Sequence, residues 1–193
     1  MLDLEPATST LARLVEGVAD DQLDRPTPCA KTSLAALLDH VDGLVLGFTE
    51  AAEKTGGDQA PSADGSRLGD DWRARIAGRL ATLAEVWRDP SAWTGMTRIA
   101  GLDLPAEVAG AVAVDEVIVH GWDIAVSSGQ TGDWPPELID AAIGFVAPMA
   151  SQNPEGVPGM FGPVVVVGDD ATALDHLLGL TGRDPNWRAE SHP

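Results

Sequence analysis

A-V-A-V-D-E-V-I-V-H-G-W-D-I-A-V, residues 111–126, is apolar on almost every side of the helix it predicts. Such a helix is buried by neighbours on most of its faces, which calls for an assembly of helices around it. Yet Glu116, His120 and Asp123 stand at i, i+4 and i+7, one above the other on a single face. Ionisable groups on a buried stripe need partners, because an unpaired buried charge costs several kcal/mol or more. A metal ion can satisfy them: side chains on successive turns can chelate one ion, as the paired histidines of metalloprotease helices do. The plainer alternative is a stripe that faces water.

Working outward, this helix extends from about Pro105, acceptable in a first turn, to about Ser127, with Gly129 as its stop. A first helix is expected over Ala7–Val18, with Leu11, Leu14, Val15 and Val18 at helical spacing and Thr8 or Ser9 as cap. Arg25-Pro26-Thr27-Pro28-Cys29 reads as extended, because a residue before proline is pushed out of the α region. A second helix runs from about Ser33 to Lys54, with Leu37, Val41, Leu44 and Phe48 as core stripe and Asp39, Asp42, Glu50 and Glu53 on the wet side. Residues 57–66 read as a loop. A third helix follows from about Leu68 to Trp87, with Trp72, Ile76, Leu80, Leu83 and Trp87 on one face. Residues 94–104 suit a short irregular or extended excursion. Pro135 and Pro136 start a helix over about 135–150, Val164–Val167 is β-like, Thr172–Leu180 is a small last helix, and Arg183 onward is tail.

The expected fold class is all-α: an antiparallel bundle of four main helices, 33–54, 68–87, 105–127 and 135–150. Residues 1–150 form the bundle, and residues 151–193 form a C-terminal extension packed on it. The 193 residues suffice for one well-buried core. With 22 % charged and 44 % apolar residues the composition is that of an ordinary globular protein. The formal charge of −18, from 30 acidic and 12 basic residues, repels phosphate backbones and anionic membranes, which disfavours nucleic-acid binding. No segment approaches the roughly 20 apolar residues of a membrane span, and the start lacks a secretory pattern. A single cysteine excludes an internal disulfide and a cysteine-rich zinc site. These features fit the cytosol, and a monomer or homodimer is expected.

His40 lies in the second helix, among Leu37, Gly43, Leu44 and Gly47. Each glycine within a helix costs about 1 kcal/mol against alanine. Two of them one turn apart beside a histidine suggest space kept for a close helix or a ligand; a core histidine bonded to a backbone carbonyl is the plainer reading. Cys29 is expected to pack as a small hydrophobe. His176 and His192 lie outside these patterns. Arg73, Arg75, Arg79 and Arg98 can bind an anion or simply carry surface charge.

The segments R-P-T-P-C-A-K-T-S-L-A-A-L-L-D-H-V (25–41), D-E-V-I-V-H-G-W-D-I-A (115–125), G-Q (129–130) and L-L-G-L-T-G-R-D-P (177–185) together resemble the DinB-like metal-binding family. More narrowly, they resemble its subgroup related to mycothiol-dependent maleylpyruvate isomerase. The resemblance implies a DinB-like four-helix bundle in which His40, Glu116 and His120 hold a divalent metal, zinc being the expected ion. It implies for Asp123 a role behind these ligands or facing the substrate, and makes it the candidate catalytic group. Where the subgroup has Trp and then an Arg-Asp pair, this chain has Thr32, Ala35 and Ala36.

Two imidazoles and a carboxylate leave a position open on zinc, as catalytic sites do. The resemblance implies that mycothiol, a small-molecule thiol, takes that position and is held as thiolate. Attack on a small electrophilic substrate then gives either isomerisation or S-transfer. Two other classes stay open: hydrolysis of a small substrate by metal-activated water, and metal or ligand binding without catalysis.

Overall fold

Among the described residues, 1–189 of a computed structural model, the chain forms six helices and one hairpin. These are α1 (Glu5–Glu16), α2 (Leu34–Ala52), α3 (Trp72–Val86), β1 (Met96–Ile99), β2 (Leu102–Pro105), α4 (Ala106–Ser128), α5 (Pro136–Gln152) and α6 (Ala173–Leu180). The fold is all-α, as the helical periodicity predicts, and it is the DinB-like kind of bundle that the resemblance implies. In the four-helix bundle, α1 packs on α3 and α4, and α2 packs on the same two. The fourth member is therefore α1, not the helix over 135–150; α5 lies on the outer side of α4 and carries α6. The sequence expectation erred because α1 is the shortest bundle helix, although its stripe Leu11, Leu14 and Val15 is fully buried.

The apolar surround of α4 follows from this plan, since α1, α2, α5 and the hairpin all cover it. Its last turn closes on Gly129 in the left-handed conformation (φ +78°), the glycine stop expected from sequence. Gln130 then bonds back to the Leu14 carbonyl at 2.9 Å, tying the end of α4 to α1. Ile76, Leu80, Leu83 and Trp87 of the α3 stripe are fully buried.

Several local expectations are corrected. Neither Thr8 nor Ser9 caps α1: the helix starts at Glu5 with Pro6 in its first turn, and Thr8 is buried. Helix α3 begins at Trp72, because Gly65–Arg67 form a separate 3-10 turn and Gly69 (φ +71°) breaks the chain direction. The extended excursion expected over 94–104 is borne out as an antiparallel hairpin over 96–105, turned through Ala100 and Gly101 with φ +49° and +81°. Val164–Val167 joins no sheet; the Val165 amide instead donates to the Gly179 carbonyl at 2.9 Å. Asp42 is not on a wet face. It is buried between α2 and α3, where Arg75 and Arg79 each reach it at 2.9 Å. That pairing removes both arginines as free anion binders. Arg73 pairs with Asp20, and Arg98 with Asp58 and Asp103. No helix among the described residues is long and apolar enough to cross a membrane.

Gly121, directly after His120, faces the buried ring of Trp134. A Cβ there would stand 2.2 Å from Trp134 Cη2, so α4 needs glycine where the tryptophan seats. Gly121→Ala is expected to cost about 1–3 kcal/mol through overpacking, read as a lower thermal midpoint. An unchanged midpoint would mean that Trp134 is not held in place.

Candidate functional site

Helix periodicity sets the first part of the site. One turn of α4 separates Glu116 from His120, and His120 Nε2 lies 2.9 Å from Glu116 Oε2. Across the bundle, α2 presents His40, whose ring meets that of His120 edge-on with centroids 5.2 Å apart. One potential ligand atom from each of His40, Glu116 and His120 lies within 4.8 Å of the other two. The structure thus brings together the three residues that the resemblance implied.

Both histidines have their second nitrogen engaged. His40 Nδ1 stands 3.1 Å from the Ser62 carbonyl oxygen. A carbonyl can only accept, so Nδ1 carries the hydrogen and Nε2 keeps its lone pair for the site. His40 therefore does bond to a backbone carbonyl, and that bond leaves it free to act as a ligand. His120 Nδ1 lies 3.0 Å from Asp123 Oδ2, the histidine–carboxylate pairing that orients metal-binding imidazoles. The neighbouring space is made by a loop, not a helix: Gly43 admits Pro61, where a Cβ would come within 2.9 Å of the proline Cβ, while Gly47 has open space.

Asp123 is completely buried. Its Oδ2 accepts from His120, from Arg183 Nη2 at 3.1 Å and from the Cys29 thiol at 3.2 Å. Of the two roles implied for it, the geometry fits the one behind the ligands. Arg183, read from sequence as the start of a tail, is instead a buried partner of that carboxylate and touches Cys29 Sγ at 3.4 Å. The signal for it was the T-G-R-D-P piece of the quoted motif, where an arginine follows a buried apolar helix. Cys29 is half-buried and packs against the core, with its thiol on this polar cluster. A second group of potential ligand atoms within 4.8 Å of one another is Cys29, His120 and Asp123; His176 on α6 takes part in neither group, and His192 lies outside the described residues.

The charges explain how the cluster holds together. Burial works against ionisation of Glu116, but His120 beside it, together with His40 and Arg183, outweighs burial and holds the carboxyl below its ordinary range. Burial likewise opposes charge on Asp123, and the Arg183 guanidinium with His120 overcomes it. On His120, burial is outweighed by Glu116 on one side and Asp123 on the other, so the imidazole is pushed well above its ordinary value. His40 shifts the other way, lowered by burial and then by His120. Without an ion, a proton on His120 must reconcile two carboxylates. A divalent cation among Glu116, His120 and His40 can take over that duty, so the donor set and its charge fit a metal.

Comparison with known proteins agrees with this architecture. Two uncharacterized proteins from two strains of Mycobacterium tuberculosis are 27% identical over 146 residues, covering 74% of this chain and 76% of each relative. The crystal structure of the mycothiol-dependent maleylpyruvate isomerase superposes with a TM-score of 0.55 at 21% identity. That likeness covers 73% of this chain and 63% of the isomerase, which is less than two thirds of its length. A variant of that enzyme with one histidine replaced by alanine superposes with the same score at 19% identity. Residues 4–125, which include His40, Glu116, His120 and Asp123, match the family described as the mycothiol maleylpyruvate isomerase N-terminal domain, and the chain belongs to that family.

Proposed function

We propose that the protein binds one divalent metal, zinc, through His40, Glu116 and His120, and uses mycothiol in a reaction on a small electrophilic substrate. The observation that carries this reading is the convergence of the three ligand atoms within 4.8 Å, each histidine tied at its far nitrogen to a fixed acceptor. When bound, zinc supplies Lewis acidity and lowers the pKa of a coordinated thiol or water toward neutrality. The residues around it have separate tasks. Glu116 contributes negative charge and is a quarter exposed, so the site opens on its side. Asp123 holds the His120 ring in orientation and accepts its Nδ1 hydrogen. Arg183 balances the buried Asp123 charge, which keeps that carboxylate ionised.

The source of sulfur is external in this reading. Cys29, the single cysteine, points at Asp123 on the far side of His120 from Glu116, and its thiol donates a hydrogen bond there. Membership in a family described by mycothiol and maleylpyruvate isomerase supports the thiol and the reaction class, isomerisation or S-transfer. Titrating mycothiol into the zinc-loaded protein is expected to raise the melting temperature, by about 2.7 kcal/mol of stabilisation at a hundredfold excess over Kd. Cobalt in place of zinc should then give a sulfur-to-metal charge-transfer band. The absence of both signals at millimolar thiol would remove mycothiol. Turnover in thiol-free buffer would point to a hydrolase instead.

A further inference from the structure

Helix α2 carries a second stripe beside His40 that the site description leaves unexplained. Ala35, Asp39 and Gly43 stand at i, i+4 and i+8, one line along the helix. The segment 61–65 lies along this line and touches it at each position. Pro61 rests on Gly43, where a Cβ would come within 2.9 Å of the proline. Gly65 rests on Ala35 and Ala36, where its own Cβ would stand 2.9 Å from the Ala35 Cβ. Between these two close approaches, Asp39 Oδ2 accepts from the Ser62 hydroxyl and, at 3.1 Å, from the Asp64 amide. Asp64 in turn accepts from the Ser66 amide at 3.0 Å and so starts the 3-10 turn that follows.

The product of this clamp is the placement of one atom. The Ser62 carbonyl oxygen, held from both sides in the chain, meets His40 Nδ1 at 3.1 Å. That contact selects the tautomer whose Nε2 is free. Asp39, expected on the wet side, is half-buried because it is occupied here. The small side chains of Ala35 and Ala36 leave the room that Gly65 fills.

We infer that Asp39 is a positioning residue of the metal centre: it straps residues 61–65 onto α2 so that the Ser62 carbonyl fixes His40 as its Nδ1–H tautomer. The inference rests on the metal reading for its consequence, but the tautomer itself is a property of the protein without metal. Nitrogen-15 imidazole spectra of the metal-free chain should show His40 as a single Nδ1–H tautomer. In Asp39→Ala it should become a mixture of tautomers, and zinc affinity, measured by competition with a chromogenic chelator, should fall about 10–100-fold, as it does when partners behind metal ligands are removed. Asp39→Asn keeps an acceptor oxygen and should restore most of both signals. Ser62→Ala keeps the carbonyl but loses one strap bond, and should fall between. Wild-type tautomer and affinity in Asp39→Ala would overturn the inference, and so would Asp39→Asn as damaging as Asp39→Ala. If the unaltered chain binds no zinc, the metal reading fails, while the tautomer comparison still decides the role of Asp39.

Discussion

His120→Ala is expected to take zinc content from about one equivalent per chain, the stoichiometry of a single mononuclear site, to a trace in elemental analysis, while far-UV circular dichroism stays helical. His120 is the hinge of the candidate site, with Glu116 Oε2 at 2.9 Å on one nitrogen and Asp123 Oδ2 at 3.0 Å on the other. Its removal leaves two donors from two different helices and unseats the carboxylate that oriented the ring. Two donors rarely hold zinc against water, since protein zinc sites use three or four protein ligands. His176→Ala is the control, because His176 belongs to neither candidate ligand group. Full metal content in both variants would sink the assignment.

Arg183→Ala is expected to produce the largest loss of stability, about 3–5 kcal/mol, because it strands a buried charge. Asp123 is fully buried, Arg183 nearly so, and their closest atoms are 3.1 Å apart. With the guanidinium gone, Asp123 keeps His120 and the Cys29 thiol, and its charge is poorly balanced. The midpoint of urea unfolding should fall sharply. Arg188→Ala, at an exposed position a few residues further on, should stay within about 0.5 kcal/mol of the unaltered protein. If Arg183→Ala unfolds at the same urea concentration as the unaltered chain, the ion pair contributes nothing and the segment is a tail after all. Shortening the chain to end before Arg183 should reproduce the loss, since it removes the same guanidinium.

The two effects read different parts of one cluster. Metal content reports the side of His120 that faces Glu116 and His40. Stability reports the side that faces Asp123, Arg183 and Cys29. The variants therefore distinguish a metal site that fails through its ligands from one that fails through its support.

By itself, the sequence determined the helical class, a helix over about 105–127 covered on nearly every side, the stop at Gly129 and the shared face of Glu116, His120 and Asp123. All of these are local: they follow from the 3.6-residue period, from glycine's tolerance of positive φ, and from side chains a few positions apart. The pairing of His40 with that face came from family resemblance, because residue spacing carries no information about contacts 76 or 80 positions apart along the chain. Tertiary structure alone decided which helix completes the bundle. It decided that Asp42 is buried, because two arginines from α3 reach it. It turned Arg183 from tail to core by an ion pair spanning 60 residues. It also set the 61–65 strap on α2. A polar residue reads as solvent-facing unless its partner is known, and for Asp39, Asp42 and Arg183 the partners lie in other segments of the chain, brought within reach only when the bundle closes and burial makes an unpaired charge costly.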